Sequence, residues 1–519
     1  MTWITNRLGV LNRYGLTLLL SVFLILLFRY QFVLLTVAEW GDESETIVIA
    51  KLLATGKQLY TEVFSQHGPL TFLPGLVVEW LGDFKHAGYR TSIALGQLLV
   101  LVAILTSPVF TSRSIASLYC CVIATVIAII VPHWYGHMYM YHTLGGIFVA
   151  LILAVYTLPA LLKPQQLSNA RILTGNFLIS CLPFFSIAYL PAAILLFAAS
   201  CRPGNVRCCF LGLLLGAIAN LVFLVLIGSL AGYLATHIYL NFVIYPTLPH
   251  TQLDGIADIF FQSIRLFTSD LGEFALFVVL LASGARLLAT QKGVPWRVIL
   301  IVLAIAVFTI RGGGFRGLPY LYAALVLPMV LFYGVSAIKR PYSVFIAVGL
   351  LVCTLKLSLL VPGDREHLSR LYIPEESEFS ILVKKITEPD DRIVSYSFKN
   401  LVYLQSDRLP ASGHIYYLPQ QEIYRQSPKF GVLIDVCKEL RQSAPKVMLI
   451  DKWRAWNRYS WRRYGGCIQS LMDESYTSIK DRPYYIRNDI LENILSGISA
   501  EDNEVTLEML NAAIDKNST

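Results

Sequence analysis

The sequence predicts a polytopic α-helical membrane protein, with about 11 transmembrane helices and a soluble C-terminal α/β domain. Three observations predict it. Of 519 residues, 55% are hydrophobic and 15% charged, with a mean hydropathy of +0.58; ordinary soluble domains carry about 25% charged residues. Apolar stretches of roughly 20 residues, the length that crosses a hydrocarbon core of ~30 Å, recur from the N-terminus to Pro362. The remaining 157 residues are charged and carry short strand-like and helix-like runs.

The apolar stretches run Gly15–Val37, Gly88–Ser107, Ile115–Val131, Thr143–Leu162, Cys209–Ala231, Leu271–Ala289, Val298–Ile310, Leu318–Ile338 and Tyr342–Val361. Between the fourth and fifth, Ile172–Ser200 is apolar but broken at Cys181-Leu182-Pro183. Proline removes a backbone donor there, which fits one kinked helix or two short ones. Charge decides. Links holding Arg7 and Arg13, Arg113, and Lys163 with Arg171 are cytoplasmic by their excess of Lys and Arg. The link after Ser200, with Arg202 and Arg207, is equally basic, so the segment enters and returns as a pair. Arg286, Lys292, Arg297, Lys339 and Arg340 then also fall inside. An odd number of spans puts the N-terminus in the cytoplasm and the C-terminal domain outside. The first apolar run is long and lacks a small-residue cleavage site, so it reads as a retained anchor. Within it Arg29 either snorkels or pairs in the bundle, or faces a polar cavity.

The net charge of +8 is spread over these links without a basic stripe of interleaved aromatics, so no nucleic-acid partner is expected. The external links are short except the first, residues 38–87, and loops of that length carry function or are disordered. This one is patterned. Asp42-Glu43-Ser44-Glu45 leads into an apolar run over Thr46–Ala54 that stops at Gly56. Gly68-Pro69 opens a second helix over Leu70–Leu81. Both are too short or too polar to span and are expected along the outer membrane surface.

Trp40-Gly41-Asp42-Glu43, Gly56-Lys57-Gln58-Leu59-Tyr60 and Val63-Phe64-Ser65-Gln66-His67-Gly68-Pro69-Leu70 resemble the first external loop of GT-C glycosyltransferases. These include the protein O-mannosyltransferases and the bacterial transferases that put aminoarabinose on lipid A. The layout of many helices, long first loop and external C-terminal domain is similar throughout. Weaker echoes are Arg311-Gly312-Gly313-Gly314-Phe315-Arg316-Gly317-Leu318-Pro319-Tyr320, and the stretch from Asp391-Arg392-Ile393-Val394 to Arg408-Leu409-Pro410. The resemblance implies a transmembrane core over 1–362 and an extracytoplasmic α/β domain over 363–519, in the plasma (inner) membrane. It implies an enzyme, a glycosyltransferase taking sugar from a polyprenyl-phosphate donor to a lipid, glycan or protein acceptor.

That chemistry asks for few groups. The leaving phosphate is already a weak base, so the paired carboxyls of glycoside hydrolysis are not needed. One carboxylate accepts the acceptor's hydroxyl proton, and cations steady the departing phosphate. Asp42 is the candidate base and Glu43 its neighbour or alternate. A structural reading competes: Asp42 with Glu45 three residues on is also the pattern of a capping box. Arg311 and Arg316 fall outside, against the positive-inside trend, which suggests an anionic partner such as the lipid phosphate; nonspecific headgroup anchoring is the alternative. At His67 the aminoarabinose transferases carry a phosphate-holding lysine. Histidine is a weaker candidate for that contact, and a solvated loop histidine is the other reading. No cofactor is expected, and no residue set supports a divalent metal, since His133, His137 and His142 are too irregular in spacing.

The tail contains no recognisable catalytic set. Trp453, Trp456, Tyr459 and Trp461 suit either a sugar-stacking surface or packing. Only Cys437 and Cys467 among the nine cysteines lie in it, free to pair or to stay independent. Other classes stay open: a surface-glycan polymerase or ligase, a non-catalytic glycan-assembly protein, or a flippase, which would carry broken-helix polar features at the midplane.

Overall fold

The computed structural model describes residues 2–37, 39–82, 85–248, 261, 265, 271–309, 317–335, 348–356, 373–496 and 505–517. Arg311, Arg316, the glycines between them, Lys339 and Arg340 lie outside the described residues, as does most of the stretch Tyr342–Val361. The chain divides into two compact units: Met1–Ala38 with Phe84–Val222 and Leu253–Ile373, and Glu39–Asp83 with Phe223–Gln252 and Pro374–Thr519.

In chain order the first ten helices are α1 (Thr2–Leu34), α2 (Gly41–Ala54), α3 (Leu73–Leu81), α4 (His86–Leu105), α5 (Arg113–Ile129), α6 (Tyr141–Ile152), α7 (Leu158–Leu162), α8 (Asn169–Cys181), α9 (Leu190–Ser200) and α10 (Val206–Ile227). Helices over Leu271–Thr290, Pro295–Val307 and Leu318–Val326 follow. Among the described residues four helices are long and apolar enough to cross a membrane: His86–Leu105, Tyr141–Leu162, Pro203–Ile227 and Gly272–Thr290. Shorter apolar helices accompany them, including Leu18–Leu34 and Arg113–Ile129. The chain is a multi-pass helical membrane protein.

In the first unit α6 runs into α7 through one wide turn, the π-helical segment Leu153–Thr157. That segment anchors both ends of the broken stretch. Arg171 Nη1 donates to the Val155 carbonyl at 3.3 Å, and Ser200 Oγ donates to Thr157 Oγ1 at 3.1 Å. Beginning and end therefore meet the same few residues, and α8 and α9, separated by the turns at Leu182–Phe184 and Ile187–Tyr189, form a pair that goes out and returns. Pro183 breaks the helix by withholding its N–H. Buried Arg90 donates to the carbonyl of Leu34, an acceptor that the end of α1 leaves open, and to that of Val37 just beyond the helix. Arg29 is exposed on α1 beside exposed Phe28 and Phe32, as expected for a snorkelling side chain. His142 bonds Tyr189 through Nδ1 at 2.9 Å.

The second unit is built around a four-stranded sheet of order β1-β2-β4-β3, with β1 Val394–Tyr396, β2 Val447–Ile450, β3 Tyr476–Ser478 and β4 Tyr484–Arg487. β1 and β2 are parallel and the other pairs antiparallel. All four residues of β2 are buried, as a strand covered on both faces requires. Met448, Ile450, Val394 and Tyr396 pack with Leu440, Ile468 and Met472 of the helices Val436–Ser443 and Gly466–Ser475. A disulfide between Cys437 and Cys467 ties those two helices together, their Cα atoms 6.1 Å apart. Trp461 and Tyr464 belong to this core, with Trp456 and Tyr459 packed against it, so most of the tail's aromatic cluster is packing.

Residues 39–83 group with the tail. α2 and α3 pack together and share a Lys51–Glu79 ion pair at 3.3 Å. Nearly every residue of α2 from Glu43 to Leu53 is buried, which corrects the expectation of a helix lying on a surface. Its weak amphipathy agrees: Ile47, Val48, Ile49 and Ala50 cover all sides, the pattern of a helix enclosed in protein.

Candidate functional site

Helix α2 starts at Gly41 because Trp40 holds an extended conformation (φ −100°, ψ 141°) and its carbonyl accepts from the Glu43 amide at 2.8 Å. Trp40 is thus the N-cap, and Asp42 lies inside the first turn. This corrects the capping-box reading of Asp42 and Glu45, since no side chain caps this helix. Asp42 and Glu43 instead meet the positive end of the helix dipole, a favourable place for two carboxylates. Ser44 and Thr46 hydroxyls bond back to the carbonyls of Gly41 and Asp42. Asp42 is half-buried, whereas Glu43 is fully buried.

One turn on, Glu45 lies on the same side of the helix as Asp42. It is buried, and burial, followed by the Asp42 charge, holds its carboxyl well above the usual carboxylate range. His67 Nε2 is 3.9 Å from Glu45 Oε1. That separation is too long for a hydrogen bond, and burial disfavours a charge on the Glu45 carboxyl. His67 is itself 6% exposed, which removes the solvated-loop reading. Its loop is pinned from several sides. Tyr60, in the left-handed region at φ +71°, donates from Oη to the His67 carbonyl at 2.7 Å. Ser65 Oγ accepts from the His67 amide at 3.1 Å. The Gln66 carbonyl accepts from His237 Nδ1 at 2.9 Å and Asn241 Nδ2 at 2.8 Å, both from the wide-turned helix Tyr233–Ile244.

The segment following β1 covers the start of α2. A Cβ placed on Gly41 would stand 2.7 Å from the Phe398 carbonyl oxygen, so only glycine fits. Asn400 Nδ2 donates to the Gly41 carbonyl at 3.2 Å. The arrangement gathers the half-buried carboxyl of Asp42, the buried carboxyls of Glu43 and Glu45 and the His67 imidazole within one helical turn and its facing loop. Such a cluster can take a proton from a hydroxyl presented to Asp42.

The structure brings Asp42, Glu45 and His67 together and keeps Glu43 on the same turn; Arg311 and Arg316 lie outside the described residues. Sequence reading missed the Glu45–His67 contact, the His237 and Asn241 supports, and the Phe398–Asn400 cover. Only the Asp42–Glu45 spacing signalled any of it.

No family model matches the chain, and no curated protein matches it by sequence. Solved structures do. ArnT from Cupriavidus metallidurans bound to undecaprenyl phosphate matches at 12% identity over 91% of this chain and 97% of that one, with a TM-score of 0.52. The apo state of the same protein matches at 13% identity over 83% and 92%, TM-score 0.49. The archaeal oligosaccharyltransferase AglB from Archaeoglobus fulgidus, in complex with an inhibitory peptide and a dolichol-phosphate, matches at 12% over 91% and 74%, TM-score 0.43. At these identities the likeness to the lipid-bound ArnT speaks for the fold: the chain has a GT-C fold, as the loop resemblance implied.

Proposed function

We propose that the chain is a membrane glycosyltransferase that moves a sugar from a polyprenyl-phosphate donor to an acceptor hydroxyl on the extracytoplasmic face, with inversion. The observation that carries this reading is the place of Asp42. It sits in the first turn of a buried helix, in the long first loop of a chain whose GT-C fold agrees with ArnT over nearly its whole length.

In the proposed reaction the acceptor oxygen attacks the anomeric carbon while Asp42 takes its proton, and the bond to the phosphate oxygen breaks with the electron pair leaving on phosphate. One displacement gives inversion. Glu43, buried beside Asp42, fixes its direction and is the alternate base. Arg311 and Arg316 are assigned to the leaving phosphate, where a planar guanidinium suits two oxygens at once. For His67, burial beside Glu45 favours positioning of the acidic cluster over direct contact with the phosphate. The undecaprenyl phosphate of the ArnT structure is consistent with the donor class.

Membranes containing the chain, incubated with a panel of labelled polyprenyl-phosphate sugars, are expected to move one label into an acid-stable glycoside. Matched membranes lacking the chain are expected to move none. Transfer of no label by either membrane, with the chain inserted and folded, would overturn the reading.

A further inference from the structure

Two exposed aromatic rings stand where β1 and β2 end. Phe398 is two residues beyond β1, and Trp453 three beyond β2, the parallel neighbour of β1. The carboxyl ends of parallel strands are where α/β sheets collect ligands, because the loops diverging there leave a crevice. The rings meet edge to face, centroids 5.1 Å apart at 87°. Behind them Phe398 lies nearly parallel to buried Tyr416 at 6.3 Å and 17°, and Trp453 meets Trp456 at 6.0 Å. The Trp453 carbonyl accepts from Tyr464 Oη at 2.7 Å, which fixes its loop to the core.

Packing alone does not account for this pair. Phe398 is 44% exposed and Trp453 38%. Phe398 adopts φ +55°, and in the second loop Lys452, Trp456 and Asn457 adopt +44°, +50° and +60°. Side chains disfavour this left-handed region, and such conformations persist where the surroundings over-determine them, commonly at ligand sites. The two loops thus spend strained backbone to hold apolar rings in water.

Their place gives the reason. The Phe398 carbonyl abuts Gly41, Asn400 bonds Gly41, and the next residue is Asp42. We propose that Phe398 and Trp453 form a stacking platform for a sugar ring of the acceptor, which is therefore a saccharide or carries one. The apolar C–H face of a pyranose lies on one aromatic face while the perpendicular ring flanks its edge, and exposed Lys399 and Arg454, next to them in sequence, offer donors to its hydroxyl or acidic groups. The assignment to the acceptor rests on the transferase reading. The base must touch the acceptor hydroxyl, so a platform adjoining the base holds the acceptor, while the donor is held through its phosphate.

The test uses the full chain in its own membranes, with the photo-crosslinker p-benzoylphenylalanine replacing Phe398, Trp453 or, as control, Phe430. Phe430 is also left-handed at φ +55° and 55% exposed, but belongs to neither loop. After irradiation, mass spectrometry of adducts is expected to find saccharide at 398 and 453 and not at 430. Equal saccharide capture at all three positions, no capture, or phospholipid alone at 398 and 453 overturns the platform. In the Phe398→Leu/Trp453→Leu chain, with insertion and melting preserved, the acceptor KM is expected to rise about tenfold with the donor KM unchanged. A rise confined to the donor KM overturns the assignment. Crosslinking needs no turnover, so the two readings fail separately. Saccharide adducts without sugar transfer would remove the transferase reading, and transfer without adducts would remove the platform.

Discussion

His414 shows how closely single side chains are specified in the tail. It is 4% exposed, its Nε2 donates to the Ile434 carbonyl at 3.1 Å, and its Nδ1 accepts from Gln421 Nε2 at 3.0 Å, which defines one neutral tautomer. The ring also stacks on Phe64 at 5.0 Å. Burial pushes its pKa down from 6.5 to about 4. Between those values the unfolded chain binds a proton that the fold refuses, so stability is full above pH 6.5 and falls as pH drops toward 4. The loss is on the order of 3 kcal/mol. Melting temperatures from pH 7 to 4 are expected to fall for the natural chain by more than for His414→Gln; parallel curves would contradict this. Arg311 and Arg316 are tested by donor kinetics. At least one alanine variant is expected to lose ~2–5 kcal/mol of donor-dependent activity, with partial rescue by lysine. Unchanged donor kinetics in both would reduce them to headgroup anchors.

At the scale of elements, the approach of loop to tail depends on residues without side chains. A Cβ on Gly413 would stand 2.0 Å from the Glu62 carbonyl oxygen, and the Gly413 carbonyl accepts from the Phe64 amide at 2.9 Å. Gly413→Ala must therefore push the two segments apart and is expected to cost about 1–3 kcal/mol. A melting temperature equal to the natural chain's would show that the contact yields freely. Legibility follows the same lines. Helix α2 was readable because acidic residues precede an apolar run ending at Gly56, and the break in the hairpin because Pro183 withholds a donor. The cap was misread, since Asp-x-x-Glu fits both a capping box and two carboxylates within a first turn. Only the backbone angles of Trp40 distinguish them. The site's other members escaped for a different reason. Glu45 with His67, and Gly41 with Phe398 and Asn400, are contacts between distant segments that no local period encodes.

For the whole molecule, the apolar spans and their basic links predicted a multi-pass membrane protein, and the comparison with ArnT agrees in fold along nearly the entire chain. Which side the tail occupies is a prediction of the charge pattern. The Cys437–Cys467 bond fits an oxidising compartment. Reporter fusions placed after Pro362 are expected to be active only as periplasmic or lumenal reporters; a cytoplasmic signal would reverse the topology and take Arg311 and Arg316 away from the donor phosphate.

The central claim, that Asp42 accepts the acceptor's proton, is tested most directly by sugar transfer in Asp42→Asn. Asparagine keeps the size and hydrogen-bonding reach of the side chain. Trp40 rather than Asp42 caps the helix, and loss of the favourable charge in the first turn costs about 0.3–1 kcal/mol. The variant is therefore expected to insert, fold and melt close to the natural chain. Its transfer rate, measured at saturating donor and acceptor, is expected to fall by about 100-fold or more, because an amide cannot take the proton. Glu43→Gln is expected to lose less. A folded Asp42→Asn protein that transfers sugar at the natural rate would contradict the assignment.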